Sequence, residues 1–232
     1  MPCYNEERGV AETIAEIRKL GDLIDEILVI DNNSADKTSE VARSLGARVV
    51  FEKRPGYGRA YKTGLVAATG YYIATLDGDA TYPAERIPDL LETLVQEELD
   101  FVSACRKPQD WHRNWDNFKR LAGNKVLTTT LWLLFFCYLI DSQSGMWIFK
   151  HDILHDLHVT SDGMPFSEEI KIEVFTHPKL KAKEIPITFH YHTRKGASKL
   201  NLWKDGFFNL FFLFKKRFNL LNKDQRMDFT RE

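Results

Sequence analysis

Apolar residues along the first half of the chain alternate between helical and strand-like spacing. Between Asn5 and Gly21, apolar residues recur every three or four positions, which predicts an amphipathic helix bounded by these two residues. Short apolar runs typical of strands and further helical patterns then follow each other in turn. The predicted strands are 26–30, 48–51, 71–76 and 101–104, and the predicted helices between them end near 45, 68 and 95.

This alternation predicts an α/β fold with a Rossmann-like, mostly parallel sheet flanked by helices. The second half is less regular. There the pattern predicts helices over 114–140 and 168–175 and strands over 145–149 and 184–192. The most apolar stretches, 131–140 and 207–214, fall short of the roughly 20 residues that a bilayer-spanning helix needs.

Composition narrows the functional classes. With 232 residues, 44% apolar content and a formal net charge of −1, the chain suits a folded protein and not a general nucleic-acid binder. Its three cysteines, an odd number, are widely spaced and form no zinc pattern. We therefore expect a reduced, cytosolic-side protein.

The strongest candidate chemistry is a pair of carboxylates, Asp77 and Asp79, directly after the predicted strand 71–76. Two acids so close repel each other unless a cation lies between them, and a hard divalent ion is the natural candidate. Such pairs also cap helices and turns. The metal hypothesis gains support because parallel topology brings polar loops to one rim of the sheet. These loops are 2–6, 31–36, 54–59 and 77–82.

Six motifs in order carry a resemblance to a known family. They are Pro2-Cys3-Tyr4-Asn5-Glu6-Glu7, Ile30 to Thr38, Gly56-Tyr57-Gly58, Asp77-Gly78-Asp79, Asp141-Ser142-Gln143-Ser144-Gly145, and Glu184 to Ile187 with Arg194 to Leu200. In these motifs the chain resembles the family 2 glycosyltransferases of the GT-A fold, most of all the dolichol-phosphate mannosyltransferase type. The resemblance implies a catalytic domain over 1–200, and we expect 201–232 to form an amphipathic membrane-associating segment.

The resemblance also implies site residues. It implies that Asp77 and Asp79 bind Mg²⁺ or Mn²⁺ against the diphosphate of a GDP- or UDP-hexose, and that Gly78 lets the backbone approach closely. Arg106 is implied to neutralise phosphate charge. The remaining residues implied to bind the donor are Pro2, Tyr4, Glu6, Ile30, Asp31 and Asn32, and Arg194 and Lys199 are implied to neutralise donor and acceptor phosphates.

The chain departs from the family pattern at four places. Asn32 stands where an acid is usual, so we expect a different base contact. Thr81 replaces a common glutamine, and Trp147 replaces a common arginine. Family members also have an apolar strand directly before the Pro-x-Tyr motif, whereas this sequence starts at Met1-Pro2, so we expect that strand to be missing or the sheet to be rearranged.

The acceptor decides which catalytic groups are needed. A hydroxyl nucleophile needs a general base, for which Asp141, Glu168 and Glu169 are candidates, although the two glutamates also suit a helix N-terminus. A phosphate nucleophile is already ionised and needs cations more than a base. We therefore expect Asp79, Asp141, Glu169 and Arg106 to act in a single inverting displacement, as the family resemblance implies.

The aromatic segment 207–221 predicts an interfacial helix with a basic end, although the same residues also suit a core. The sequence thus predicts a metal-dependent transferase of a hexose to a polyprenyl (dolichyl or undecaprenyl) phosphate. It would bind peripherally at the cytoplasmic face of a membrane. Two alternatives remain: a transferase to a saccharide hydroxyl, and a degenerate protein that binds nucleotide-sugars or a partner without catalysis.

Overall fold

The computed structural model describes residues 1–108, 115–189 and 202–220. The strands are β1 (Pro2–Cys3), β2 (Leu28–Asp31), β3 (Arg48–Phe51), β4 (Tyr72–Ala74), β5 (Phe101–Pro108), β6 (Trp147–Lys150) and β7 (Ala182–Phe189). The α-helices are α1 (Glu7–Arg18), α2 (Thr38–Ser44), α3 (Tyr57–Ala67), α4 (Ile87–Gln96), α5 (Trp115–Phe135), α6 (Phe166–Phe175) and α7 (Leu202–Arg217).

The strands form two sheets, in the orders β1-β2-β3 and β4-β6-β5-β7. All neighbours in the first sheet are parallel, as are β5 and β7, but β6 runs antiparallel to both β4 and β5. The predicted α/β architecture is therefore confirmed. The reversed direction of β6 was not predicted, because a buried strand has the same apolar pattern in either direction.

Two of the buried clusters pack helices against the second sheet. One packs α4, through Leu90 and Leu94, against Val102 and Ile148 of the second sheet. The other is aromatic and surrounds Trp147, whose ring contacts Tyr61, Phe101 and Phe166. Trp147 is fully buried and its indole N–H donates to the carbonyl of Ser144 at 2.7 Å. The residue that replaces a common family arginine is thus part of the core.

The first strand, β1, is only two residues long and lies within the Pro-x-Tyr motif itself. Met1–Cys3 runs along β2, where the Met1 amino group donates to the Leu28 carbonyl at 2.8 Å and Met1 O accepts from Ile30 N–H at 2.8 Å. In the described residues, strand pairing does not join the two sheets, and an apolar cavity of about 260 Å³ lies between β2 and β4. The strand predicted as buried over 71–76 is accordingly the edge strand β4, and Tyr72 is exposed.

The long helix predicted over 114–140 is shorter than expected. It ends at Phe135, because Phe136 adopts a left-handed conformation with φ of 53°. The residues after it alternate, with Cys137 and Leu139 buried and Tyr138 and Ile140 exposed. An amphipathic extended segment therefore replaces the last turns of the predicted helix.

Among the helices in the described residues, none has both the length and the apolar character needed to cross a membrane.

Candidate active site

A crevice of about 510 Å³ opens where the polar loops meet. It is lined by Pro2, Cys3, Tyr4 and Glu6 of the first loop, by Asn32 and Asn33, by Pro55, Gly56, Tyr57 and Ala60, by Asp77, Gly78 and Asp79, and by Arg106, Gln143, Met164, Ser167 and Asp205. The sequence-based prediction that loops 2–6, 31–36, 54–59 and 77–82 share one rim is confirmed by this lining.

The first two loops are held together by side chains that bind backbone groups. Asn5 N–H donates to Ser34 Oγ at 2.9 Å, and Asn5 Oδ1 accepts from the N–H of Ala35 at 2.7 Å. Glu6 N–H donates to Thr38 Oγ1 at 2.8 Å. These bonds fix the start of α1 against the start of α2, so the two loops form one wall.

Asn32 joins this wall to the next loop. Its amide donates to the carbonyl oxygens of Glu52 at 3.1 Å and Arg54 at 2.6 Å, and its Oδ1 accepts from Gly56 N–H at 2.8 Å. A carboxylate has no proton to donate to two carbonyl groups. The asparagine at this position is therefore explained by loop geometry.

The Asp77-Gly78-Asp79 turn packs tightly against β1 and α1. A Cβ on Gly78 would lie 2.3 Å from Cys3 Sγ, and a Cβ on Gly9 would lie 2.5 Å from Gly78 O. After the turn, Ala80 has a φ of 62° and its N–H donates to Thr13 Oγ1 at 3.1 Å. Close packing from two sides thus fixes where both carboxylates leave the backbone.

Each carboxylate accepts a hydrogen bond from a neighbouring hydroxyl. Tyr57 donates to Asp77 Oδ1 at 3.1 Å, and Thr81 Oγ1 donates to Asp79 Oδ1 at 2.6 Å. Burial, followed by the charge of Asp77, raises the pKa of Tyr57 well above its usual range, so this phenol stays protonated as a donor.

The pair is suited to a hard divalent ion. In the described part of the chain, no group of three or more His, Cys, Asp or Glu side chains could hold a metal. Two carboxylates in a nucleotide-sized crevice match the way Mg²⁺ is usually bound, by one or two carboxylates together with substrate phosphates. Asp77 and Asp79 both line the crevice and fit such an ion.

Gly145 lies against this carboxylate pair. A Cβ there would be 2.6 Å from Tyr57 Oη and 3.2 Å from Asp77 Oδ1. Its N–H donates to Tyr82 Oη at 2.7 Å, and its carbonyl accepts from Thr75 Oγ1 at 2.8 Å. The motif 141–145 therefore ends in a glycine because the Tyr57 hydroxyl, with the Asp77 carboxylate behind it, occupies the space of a side chain.

Arg106 lines the crevice and is held by Asp141 from behind. Nε and Nη2 of Arg106 donate to the two oxygens of Asp141 at 2.6 and 2.9 Å, and Asn124 Nδ2 donates to Oδ1 at 2.9 Å. Burial alone would raise the pKa of Asp141, but Arg106 overcomes this effect and holds the pKa well below its usual range. Asp141 therefore stays ionised and fixes the guanidinium.

Lys171 lies buried on the far side of this pair. Its ammonium donates to the backbone carbonyl of Asp141 at 2.6 Å. Burial lowers the pKa of Lys171 to about 8 despite the neighbouring Asp141 and Glu184. Glu184 accepts from the backbone N–H groups of Ile140 and Asp141, and burial raises its pKa. These contacts hold the 140–141 backbone in place.

The glutamates of α6 have different surroundings. Glu169 accepts from Thr160 N–H at 2.9 Å, from Ser161 N–H at 2.7 Å and from Lys216 Nζ at 3.1 Å. Glu168 accepts from Gln143 Nε2 at 2.8 Å, and burial raises its pKa well above the usual range. Through its bonds to Thr160 and Ser161, Glu169 holds in place the segment that leads to the crevice residue Met164.

Four predicted site residues in the described part of the chain do not line the crevice: Asp141, Glu169, Ile30 and Asp31. Asp141 and Glu169, expected to be catalytic, are not among the described residues that line the crevice, because their oxygens hold Arg106 and the 160–161 backbone. Ile30 lines the apolar cavity between the sheets and packs against Gly64 of α3.

Asp31 and the other predicted residues divide into three groups. Pro2, Tyr4 and Glu6 line the crevice as expected. Asp31 lies behind the lining, where it accepts from Ser34 N–H at 2.9 Å and from Ser39 Oγ and so shapes the 31–36 loop. Arg194 and Lys199 lie outside the described residues.

Ten crevice residues were not predicted as site residues. Cys3, Asn33, Pro55, Gly56 and Tyr57 belong to the loops predicted to share the rim and Ala60 to the helix after them, whereas Gln143, Met164, Ser167 and Asp205 come from the second half of the chain. Gln143 belongs to a motif that the resemblance singled out, so a signal for it existed. The other three lie on or beside α6 and α7 in the irregular half of the chain. Their sequence positions carry no periodic or motif signal that points to a shared site.

Comparisons with known proteins agree with this geometry. The family model described as "Glycosyl transferase family 2" matches residues 1–157. The "Low-salt glycan biosynthesis hexosyltransferase Agl6" of Haloferax volcanii is 33% identical over 92% of this chain, which spans 52% of that protein. The "Dolichyl-phosphate hexose transferase" of the same organism is 30% identical over 89% of this chain and 87% of that protein.

Solved structures are similar in fold. A crystal structure of glucosyl-3-phosphoglycerate synthase from Mycobacterium tuberculosis, in complex with Mn²⁺, UDP and glucosyl-3-phosphoglycerate, has a TM-score of 0.72 at 22% identity. It covers 95% of this chain and 79% of its own. The chain has this GT-A fold, belongs to glycosyl transferase family 2 and is a glycosyltransferase.

Proposed function

We propose that this glycosyltransferase moves a hexose from a nucleotide-sugar, a GDP- or UDP-hexose, to the phosphate of a polyprenyl lipid. Mg²⁺ or Mn²⁺ would be held at Asp77 and Asp79. The observation that carries the proposal is that both carboxylates line one crevice together with Pro2, Tyr4 and Arg106.

The donor side is formed by the loops around β1 and β2. Pro2, Tyr4 and Glu6 would contact the base and ribose, and the backbone of Gly78, which also lines the crevice, would approach the diphosphate. A bound divalent ion supplies Lewis-acid stabilisation of the leaving diphosphate. The Mn²⁺ and UDP present in the mycobacterial synthase structure support the same class of donor complex here.

The side chains around the crevice favour a phosphate acceptor over a hydroxyl acceptor. Asp141 is bound by Arg106 and stays ionised with a depressed pKa, which makes it a weak base. Glu169 is occupied by the 160–161 backbone, and Glu168 does not belong to the described crevice lining. A phosphate oxygen is already ionised near pH 7 and attacks without a general base.

With a phosphate acceptor, the main requirement on the protein is to neutralise the negative charge of the phosphates. Asp141 fixes the Arg106 guanidinium in one orientation, and the Phe189 ring lies 5.5 Å from it. A preorganised cation of this kind stabilises developing phosphate charge without reorganisation. Arg194 and Lys199 are proposed to add positive charge on the acceptor side.

An exposed apolar surface adjoins the crevice, and we call it the lipid-facing surface. It combines one face of α7 with the segment after α5: Phe136, Tyr138, Ile140, Phe207, Phe208, Phe211 and Phe214. The packing of α5 on α7 through Leu131 and Leu213 brings these two parts together.

Several features suit this surface to a membrane interface. Soluble monomers rarely expose large contiguous apolar patches, and the last turn of α7 carries the basic residues Lys215 and Arg217. The name of the dolichyl-phosphate hexose transferase relative also supports a lipid acceptor. We propose peripheral binding at the cytoplasmic face, with 201–232 as the membrane-associating segment.

A donor and acceptor assay tests the proposal. Radiolabelled GDP- and UDP-hexoses are incubated with Mn²⁺, the enzyme and vesicles that contain polyprenyl phosphate. We expect label in the organic phase after solvent extraction. Label in a water-soluble saccharide would replace the lipid acceptor by a hydroxyl acceptor. Metal-dependent nucleotide binding without any transfer would indicate a non-catalytic relative.

A further inference from the structure

The face of α7 opposite the lipid-facing surface carries a buried polar residue, Asn209. Its side chain is 4% exposed. It lies among the apolar contacts of α7 with α5 and α6, in which Leu210 and Leu213 take part. A buried amide in an apolar contact costs free energy unless it forms hydrogen bonds, so its partner is informative.

The partner of Asn209 is a crevice residue. Asn209 Nδ2 donates to Gln143 Oε1 at 3.0 Å, and Gln143 Nε2 donates to Glu168 Oε2 at 2.8 Å and to Ser142 Oγ at 3.3 Å. Gln143 lines the crevice, as does Asp205, one helical turn before Asn209. The Gln143 amide is therefore held at both ends, by α6 and by α7.

The position of α7 is also fixed by charge. Lys216 Nζ lies 3.1 Å from Glu169 Oε1 and 2.6 Å from Glu173 Oε1. The same helix thus carries exposed aromatic rings on one side and bonds to the crevice wall and to α6 on the other.

We propose that Asn209 is a positioning residue for the transfer reaction: its amide holds the Gln143 side chain at the crevice wall. This inference rests on the proposed function for the identity of the acceptor, but the hydrogen bond and its effect on Gln143 do not depend on it.

A double-mutant cycle tests whether Asn209 acts through Gln143. Asn209→Leu keeps the size of the side chain and removes the donor. We expect about a tenfold fall in kcat/KM for polyprenyl phosphate, because Gln143 Oε1 loses the donor that orients the amide. Mn²⁺-dependent nucleotide binding should stay within about twofold of the wild-type value, because the donor loops are untouched.

The second arm combines this change with Gln143→Leu. If Asn209 acts through Gln143, the double variant is no worse than Gln143→Leu alone. Leu213→Ala is the matched control, because it loosens the packing of α7 without touching Gln143, and its loss should add to that of Gln143→Leu. Additive losses from Asn209→Leu, or an unchanged kcat/KM, would overturn the proposal.

A spectroscopic readout separates this inference from the acceptor assignment. In glutamine-labelled protein, the side-chain ¹⁵N signal of Gln143 should shift in Asn209→Leu and keep its position in Leu213→Ala. An unmoved Gln143 signal in Asn209→Leu refutes the inference. If the Gln143 signal shifts but the enzyme does not use polyprenyl phosphate, Asn209 is still the positioning residue. Only the assignment of a lipid acceptor is then rejected.

Discussion

Replacing Gly145 by alanine would place a methyl group between Tyr57 and the carboxylate of Asp77. The new Cβ would lie 2.6 Å from Tyr57 Oη and 3.2 Å from Asp77 Oδ1. The backbone has little room to retreat, because Tyr82 accepts the Gly145 N–H at 2.7 Å and Thr75 donates to its carbonyl at 2.8 Å. The displacement therefore falls on Tyr57 and Asp77.

The cost follows from this geometry. Inserting a methyl group into a packed site typically costs about 1–3 kcal/mol. Moving the Tyr57 hydroxyl also weakens its 3.1 Å bond to Asp77, worth about 1 kcal/mol. For a protein of this size, we expect the melting temperature to fall by roughly 2–4 °C per kcal/mol. A displaced Asp77 should raise the Mn²⁺ concentration for half-maximal activity about tenfold.

The assay pairs calorimetry with a Mn²⁺ titration of transferase activity. Gly123→Ala is the matched control: no atom lies within 4 Å of its added Cβ, and alanine favours a helix over glycine. We expect this control to keep wild-type Mn²⁺ dependence and to gain up to about 1 kcal/mol of stability. If Gly145→Ala matches the wild type in both measurements, the crowding argument around Asp77 is refuted.

Three further changes test other parts of the account. Asn32→Asp should lower the free energy of unfolding by about 2 kcal/mol in a urea titration. The amide group of Asn32 donates to two carbonyl oxygens, and the aspartate would place an acceptor oxygen against them. Unchanged stability would contradict the role of Asn32 in holding the 52–56 backbone. Asp141→Asn should lower kcat by releasing Arg106. In the wild type, the Asp141 carboxyl takes up a proton near pH 3.9 when unfolded but only at lower pH when folded, so stability falls as the pH drops below about 4. The asparagine variant lacks this carboxyl, and its stability should therefore fall less steeply over the same range. An unaltered acid-unfolding curve would contradict the depressed pKa. Phe211→Glu should reduce sedimentation with anionic vesicles and leave nucleotide binding in solution intact, and undiminished sedimentation would contradict the lipid-facing surface.

The donor half of the crevice could be predicted from the sequence because its elements are regular. Parallel βα units bring the ends of their strands to one rim, so loops 2–6, 31–36 and 77–82 were expected to meet, and they do. The hydrogen bonds from Asn32 to the Glu52 and Arg54 carbonyl groups could not be predicted, because they depend on the path of a loop that has no sequence periodicity.

The other half of the crevice could not be predicted. Met164, Ser167 and Asp205 come from the irregular half of the chain and meet through side-chain packing, which leaves no period to detect. The catalytic roles expected for Asp141 and Glu169 stay predictions. The hydrogen bonds of Asp141 with Arg106 and of Glu169 with the 160–161 backbone became visible only with the fold in hand.

The end of α5 illustrates a different limit. The apolar run 131–140 satisfies helical and extended patterns equally well, and Phe136 in the left-handed region decides between them. The resulting alternation buries Cys137 and Leu139 and exposes Tyr138 and Ile140. Part of the lipid-facing surface therefore comes from a local backbone choice that sequence patterning does not encode.

Calorimetric titration of the nucleoside diphosphate, with Mn²⁺ and with a chelator, tests the central claim most directly. Asp77→Asn and Asp79→Asn each remove one negative charge while they keep the side-chain size. The account predicts that the wild type binds GDP or UDP far more tightly with Mn²⁺, and that either variant loses roughly tenfold or more of this gain at an unchanged melting temperature. Full Mn²⁺-dependent binding by both variants would contradict the claim that these two aspartates hold the cation of the donor diphosphate.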